Sequence, residues 1–135
     1  MTARDDPRDG EDIYPLQAHL GFELTDWAPD FARVELPLRP VLMNRQGLPH
    51  GGVHATLLDS AMGYAGCYTG DPDRRQMALT LSLTVNYLGQ AGGTRLIAEG
   101  RRTGGGRKTY FAEGSVRDDD GALVATATGV FRYRG

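Results

Sequence analysis

At 135 residues, 40% hydrophobic and 24% charged, the chain has the size of one domain and enough apolar side chains for a core without disulfides. Its formal net charge of -2 provides no basic field for nucleic acid, and no apolar run approaches the ~20 residues that span a bilayer. The single cysteine, Cys67, has no disulfide partner and no neighbours at metal-ligand spacing, which suits a reducing compartment. With neither a secretory nor a transit pattern at the start, the expected location is the cytoplasm.

Residues 1–12 are polar and mainly acidic and read as a flexible tail, leaving 13–135 as the folded domain. A short helix is expected around Leu16 to Leu20, stopped by Gly21, and "FELTDWAP" with "FARVELPL" reads as a strand pair turning at Pro29-Asp30. A loop marked by Pro and Gly then leads into apolar, Ala-rich sequence from Val53 to about Tyr68, the one long helix. Everything after Gly70 is β-like. "LTLSLTVNY" alternates, predicting Leu79, Leu81, Leu83, Val85 and Tyr87 on one face and Thr80, Ser82, Thr84 and Asn86 on the other. Three further strands follow, separated by "GGG" and by "DDDG", whose Asp-Gly suits a tight hairpin turn. The order predicts an α+β domain in which an antiparallel sheet wraps the long helix.

Within that helix the charged residue Asp59 needs a reason, because an isolated buried carboxylate costs several kcal/mol unless it is paired or protonated. The spacing of Asn44, Gly47, His50-Gly51-Gly52 and then "L-x-D-x-A" around Asp59 resembles the hotdog-fold acyl-CoA thioesterases. The nearest likeness is to their phenylacetate-degradation-type (PaaI-like) group, and it extends through "LTVNYLGQA" to the C-terminus. The resemblance implies a sheet wrapped round a central helix, assembly into dimers and often tetramers, and hydrolysis of the thioester between an acyl group and coenzyme A. It implies no metal, and no cofactor beyond the coenzyme A of the substrate. The hydroxyl that such proteins carry on the strand after the helix falls at Thr80, or two residues on at Ser82. The His-acid motif of the dehydratases and hydratases on this fold is not found.

Thioester hydrolysis needs a nucleophile or activated water, and donors aimed at the carbonyl oxygen as it gains charge. Gly51 and Gly52 open the helix, where first-turn N–H groups lack intrahelical acceptors and no side chain bars a carbonyl. Gly51 is the expected oxyanion donor, with Gly52 beside the substrate. Asp59 lies eight residues further on, about 12 Å along the axis. One carbonyl cannot touch both groups of one chain, so the chemistry asks for a second copy with its helix running antiparallel nearby. Asp59 then faces an interfacial crevice, anchored by Thr80, and acts as general base or as nucleophile through a mixed anhydride.

Asn44 is expected to hold the water or the carbonyl, and His50 to position the loop or touch the thioester. Leu58 and Met62 are expected to line the acyl pocket, and Arg101, Arg102, Arg107 and Lys108 to meet the phosphates of coenzyme A. Each has a plainer reading: Asn44 and Gly47 as turn residues, the basic cluster as a solvated hairpin end, Cys67 as packing, His54 at the helix surface or an interface. At the level of function the alternative is a non-catalytic acyl-CoA-binding protein, which has no need of a carboxylate aimed at the thioester. Neither nucleic acid nor membrane is an expected partner.

Overall fold

The computed structural model describes Asp6, Arg8 and residues 11–135, so the expected tail over 1–12 lies largely outside the described residues. Helix α1, Pro15–Leu20, begins on a proline whose missing N–H would have had no acceptor there. It ends at Gly21, whose φ of 90° lets its N–H turn back to the Gln17 carbonyl. Strands β1 (Glu23–Ala28) and β2 (Phe31–Pro37) turn through Asp30, at φ 61°, a conformation that aspartate tolerates better than most residues. Helix α2 (Gly51–Ala65) follows, and then β3 (Met77–Tyr87), β4 (Arg95–Gly105), β5 (Thr109–Asp118) and β6 (Leu123–Arg134). All neighbouring strands are antiparallel, in the order β1-β2-β4-β5-β6-β3, which leaves β1 and β3 at the edges. This is the expected α+β arrangement.

Helix α2 lies across the concave face. Its buried residues, Val53, His54, Leu57, Leu58, Ala61, Met62 and Ala65, recur at the i, i+3, i+4 spacing of one helical stripe. The sheet meets that stripe with glycine: a Cβ on Gly100 of β4 would lie 2.5 Å from the Ala61 carbonyl carbon. One on Gly114 of β5 would lie 3.1 Å from a Leu58 methyl. Backbone therefore packs on backbone in the middle of the sheet, and each fully buried Leu or Met of the stripe contributes about 1.5–3 kcal/mol by leaving water.

The far end of α2 has no basic residue in its last turn, and Gly66 takes an ordinary right-handed conformation. Side chains of the sheet accept the task of pairing the last carbonyls. The Tyr110 hydroxyl donates to the Met62 and Gly63 oxygens at 3.2 and 2.9 Å, Trp27 Nε1 to Tyr64 at 2.8 Å, and the Tyr133 hydroxyl to Gly66 at 2.7 Å.

Strand β3 departs from the unbroken alternation expected of it. Thr80 pairs with Phe131 and Ser82 with Val130, so two residues of β3 advance against one of β6 and Leu81 bulges out. Before the bulge Ala78 and Thr80 face the helix; after it Leu83 and Val85 do, packed against the core. Leu79 and Leu81, expected with them, are instead 53% and 57% exposed. A bulge shifts the inward face by one residue, so Thr80 and Ser82 point to opposite sides of the sheet. The alternative placement of the hydroxyl at Ser82 is therefore excluded for any group acting on the helix side.

Candidate active site

The start of α2 is held by side chains of three residues, His50, Asn44 and Tyr87. His50 is extended (φ -62°, ψ 139°) and its Nδ1 accepts the Gly52 N–H at 2.8 Å, the geometry of a helix N-cap. That bond requires an unprotonated Nδ1, so a neutral His50 carries its proton on the exposed Nε2. Asn44 Oδ1 accepts the N–H groups of Gln46 and Leu48 at 2.8 and 3.1 Å, closing the loop before the helix. The Tyr87 hydroxyl donates to the Gly51 carbonyl at 2.6 Å from the end of β3. The Gly51 N–H, first in the helix, has no intrahelical acceptor. So Asn44 and His50 both act on the loop in the structure, and the Gly51 N–H has no acceptor among the described residues. His54, expected at a surface or interface, is 5% exposed in this chain, next to the Tyr87 ring, with Nδ1 unpartnered. Burial holds its basicity below the usual imidazole range.

Two turns along, Asp59 leaves the buried stripe and stands half-buried on its flank. The Thr80 hydroxyl donates to its Oδ1 at 2.6 Å, a charge-assisted bond that fixes the carboxylate, while Oδ2 accepts no hydrogen bond from the described residues. Both residues line a cavity of about 390 Å³. Helix α2 lines it with Asp59, Ser60, Gly63 and Tyr64, the sheet with Trp27, Met77, Ala78, Thr80 and Phe131, and Glu11, Asp12, Ile13, Tyr14, Cys67, Arg75 and Gln76 complete it. The Cys67 thiol is pushed up to about 11 by burial, so it stays protonated near neutrality and serves as a wall, not a nucleophile.

Other expected residues fall elsewhere. Leu58 and Met62 are fully buried under Gly114 and Gly129, on the helix face turned to the sheet, and do not line the cavity; the period of the core stripe claims them. Neither Asn44, His50, Gly51 nor Gly52 borders it, in keeping with the separation along the axis. The basic cluster is dispersed. Arg101 lies over the Phe31 ring at 4.7 Å on the outer face, Arg102 is half-buried, and Arg107 and Lys108 are exposed on the β4–β5 hairpin. None of the four lines the cavity, and the cation that does is Arg75, 3.7 Å from Asp12. The sequence reading missed Arg75, Gly63, Tyr64 and Phe131. Gly63 could have been found from Asp59, because a residue four positions on shares its side of a helix.

Comparison with known proteins bears on this arrangement. Residues 46–125, more than half of the chain, match the model of the thioesterase superfamily. The medium/long-chain acyl-CoA thioesterase YigI of Salmonella typhimurium is 27% identical over 130 residues, covering 87% of this chain and 84% of that protein. A protein of Mycobacterium tuberculosis is 37% identical over 51 residues, so the match spans 38% of this chain and only 36% of that relative's length. The crystal structure of BH2602 from Bacillus halodurans with CoA superimposes with a TM-score of 0.77 at 32% identity, over 93% of this chain and 83% of that one. With a six-stranded antiparallel sheet wrapped on one long helix, and a family match running from the loop before that helix into β6, the chain belongs to the thioesterase superfamily and has its hotdog fold.

Proposed function

We propose that the protein hydrolyses an acyl-CoA thioester to a free acid and coenzyme A, at a site completed by a second copy of the chain. The observation that carries this reading is the Asp59 carboxylate, held by Thr80 at the wall of a cavity that also holds the Trp27, Tyr64 and Phe131 rings. In the general-base route Asp59 takes a proton from water as the water oxygen attacks the acyl carbon, the C–S bond breaks, and the thiolate recovers a proton. In the nucleophilic route an Asp59 oxygen attacks first, coenzyme A leaves, and water opens the mixed anhydride. Either way the carbonyl oxygen becomes an oxyanion, and the Gly51 N–H at a helix N-terminus is the donor suited to it.

The proposed pairing is supported by the edge strand β3. It is 11 residues long and exposes Met77, Leu79 and Leu81 beside a row of unpaired backbone groups. An edge of that length and apolarity ordinarily has a partner. Two β3 edges pairing antiparallel would set two α2 helices antiparallel, bringing Gly51 of one copy toward Asp59 of the other. For coenzyme A phosphates, the proposed contacts are Arg75 of the cavity lining with Arg107 and Lys108. The hairpin carrying the latter two reaches the C-terminal end of α2, because Tyr133 binds both the Lys108 carbonyl and Gly66. Asn44 and His50 are proposed to serve the site by holding the Gly51 loop. The relative named for medium and long acyl chains and the PaaI-like sequence pattern support aliphatic and aromatic acyl groups respectively.

The test is release of free thiol from aliphatic and aromatic acyl-CoA esters by wild type and Asp59→Asn together. Wild type is expected to turn over at least one ester and Asp59→Asn to lose about 10²–10⁴ of kcat, the range of general acid-base catalysis. Equal turnover by both would sink the mechanism. Binding without turnover by wild type would favour a non-catalytic acyl-CoA-binding protein.

A further inference from the structure

Gly63 sits in the last turns of α2, lines the cavity, and takes ordinary helical dihedrals. A glycine there costs up to about 1 kcal/mol of helix stability relative to alanine. Elsewhere in this fold a glycine is demanded by packing: a Cβ on Gly129 would come 2.8 Å from the Phe131 ring, and one on Gly100 2.5 Å from helix backbone. At Gly63 an added Cβ would meet one atom, a Phe131 ring carbon at 3.8 Å, which is ordinary contact. Neither backbone nor packing asks for glycine at this position. What the missing side chain leaves is room inside the cavity.

That room is placed next to the carboxylate. Gly63 follows Asp59 by one turn on the same helix face, about 6 Å along the axis, and helical side chains lean toward the N-terminus, here toward Asp59. A side chain at 63 would enter the space bounded by Asp59, Trp27, Cys67 and Phe131. Trp27, Cys67 and Phe131 are apolar, although Glu11, Asp12, Arg75 and Gln76 also line the cavity, so the space beside Gly63 suits a bulky apolar acyl group better than the phosphates of coenzyme A. We propose that Gly63 determines the acyl size that the site accepts, by leaving open the channel from Asp59 to the aromatic floor. This rests on the thioesterase reading above.

The test separates the two. Trp27 is the only tryptophan of the chain and lines the cavity, so its fluorescence reports occupancy without turnover. Butyl, octyl and dodecyl thioethers of coenzyme A, which cannot be hydrolysed, are titrated into wild type, Gly63→Ala and Gly63→Leu. The expected result is a dodecyl-to-butyl affinity ratio lowered at least tenfold in Gly63→Leu and about threefold in Gly63→Ala. Gly63→Ala should melt no lower than wild type, which removes unfolding as the cause, and should carry the test if Gly63→Leu fails to fold. With the matching thioesters the loss should appear in KM more than in kcat. An unchanged ratio, an equal loss at every length, or no response of wild type to any thioether overturns the proposal. Length-selective binding with no hydrolysis of any ester by wild type overturns the thioesterase reading and leaves the role of Gly63 standing.

Discussion

The two ends of helix α2 are built for different work. At the N-terminal end His50, Asn44 and Tyr87 close on the chain's own backbone, and the Gly51 N–H is left without an acceptor among the described residues. In the second half a carboxylate, a glycine and an aromatic ring face a cavity of about 390 Å³. The first end is rigid and small, the second roomy and charged. A preorganised backbone donor costs no reorganisation when charge develops on a carbonyl, whereas a substrate needs space. One helix carries both requirements, but too far apart for one carbonyl, and the proposed pairing of two copies is what would join them.

Removing Asp59's charge is the largest expected perturbation of that division of labour, as set out above. Next comes the lone donor. Gly51→Pro deletes the N–H at the first helical position, where proline is well tolerated, and the extended His50 before it (φ -62°, ψ 139°) already has the conformation that proline imposes on its predecessor. Gly51→Ala is the control, because both variants place a Cβ about 3.3 Å from the Tyr87 ring but only proline removes the donor. Proline is expected to lower kcat about 10²–10³-fold beyond alanine, the effect of losing one oxyanion donor. Equal kcat in the two variants would remove Gly51 from the chemistry and make the N-terminal end purely structural.

A smaller effect is expected at the anchor of the carboxylate. Thr80→Val removes the 2.6 Å bond to Asp59 while keeping shape, and a hydrogen bond to a charged group is worth about 1.5–3 kcal/mol, so kcat/KM should fall at least tenfold. Thr80→Ser should recover most of it. Ser82→Ala should change kcat/KM by less than twofold, because the bulge at Leu81 turns Ser82 to the outer face. A larger loss at Ser82 than at Thr80 would mean that the bulge is absent in solution.

That bulge marks where the sequence stopped being legible. Period-two alternation identified β3 as a strand, since each residue type fitted a strand, but nothing in "LTLSLTVNY" signals that Leu81 is skipped by its neighbour. Register belongs to the partner strand β6 and to the core, which wants Leu83 and Val85 inward. The turns were easier to read, because Gly21, Asp30 and the Asp-Gly of 120–121 act locally, through dihedrals that other residues resist. Asp59 was legible as an exception to the apolar helix. Leu58 and Met62 were misplaced because an apolar helix residue serves equally as core or as pocket wall. Which side it faces is decided by where the sheet's glycines let the helix sit.

The smallest expected effect is a pH dependence confined to the N-terminal end. His54 is buried beside the Tyr87 ring with Nδ1 unpartnered, and desolvation lowers its basicity in the folded state. The unfolded chain therefore binds the proton more readily than the folded one, and stability present above about pH 6.5, the ordinary imidazole value, is lost as the pH falls below it. Melting temperature followed from pH 8 to 5 should decline in wild type, and His54→Leu, similar in bulk but without a titrating group, should lack that part of the decline. At the other end of the helix the Cys67 thiol is pushed up to about 11 and stays neutral throughout this range. If His54→Leu and wild type lost stability in parallel, the acid sensitivity would lie elsewhere, and the tight end of the helix would be no more vulnerable to protons than the open one.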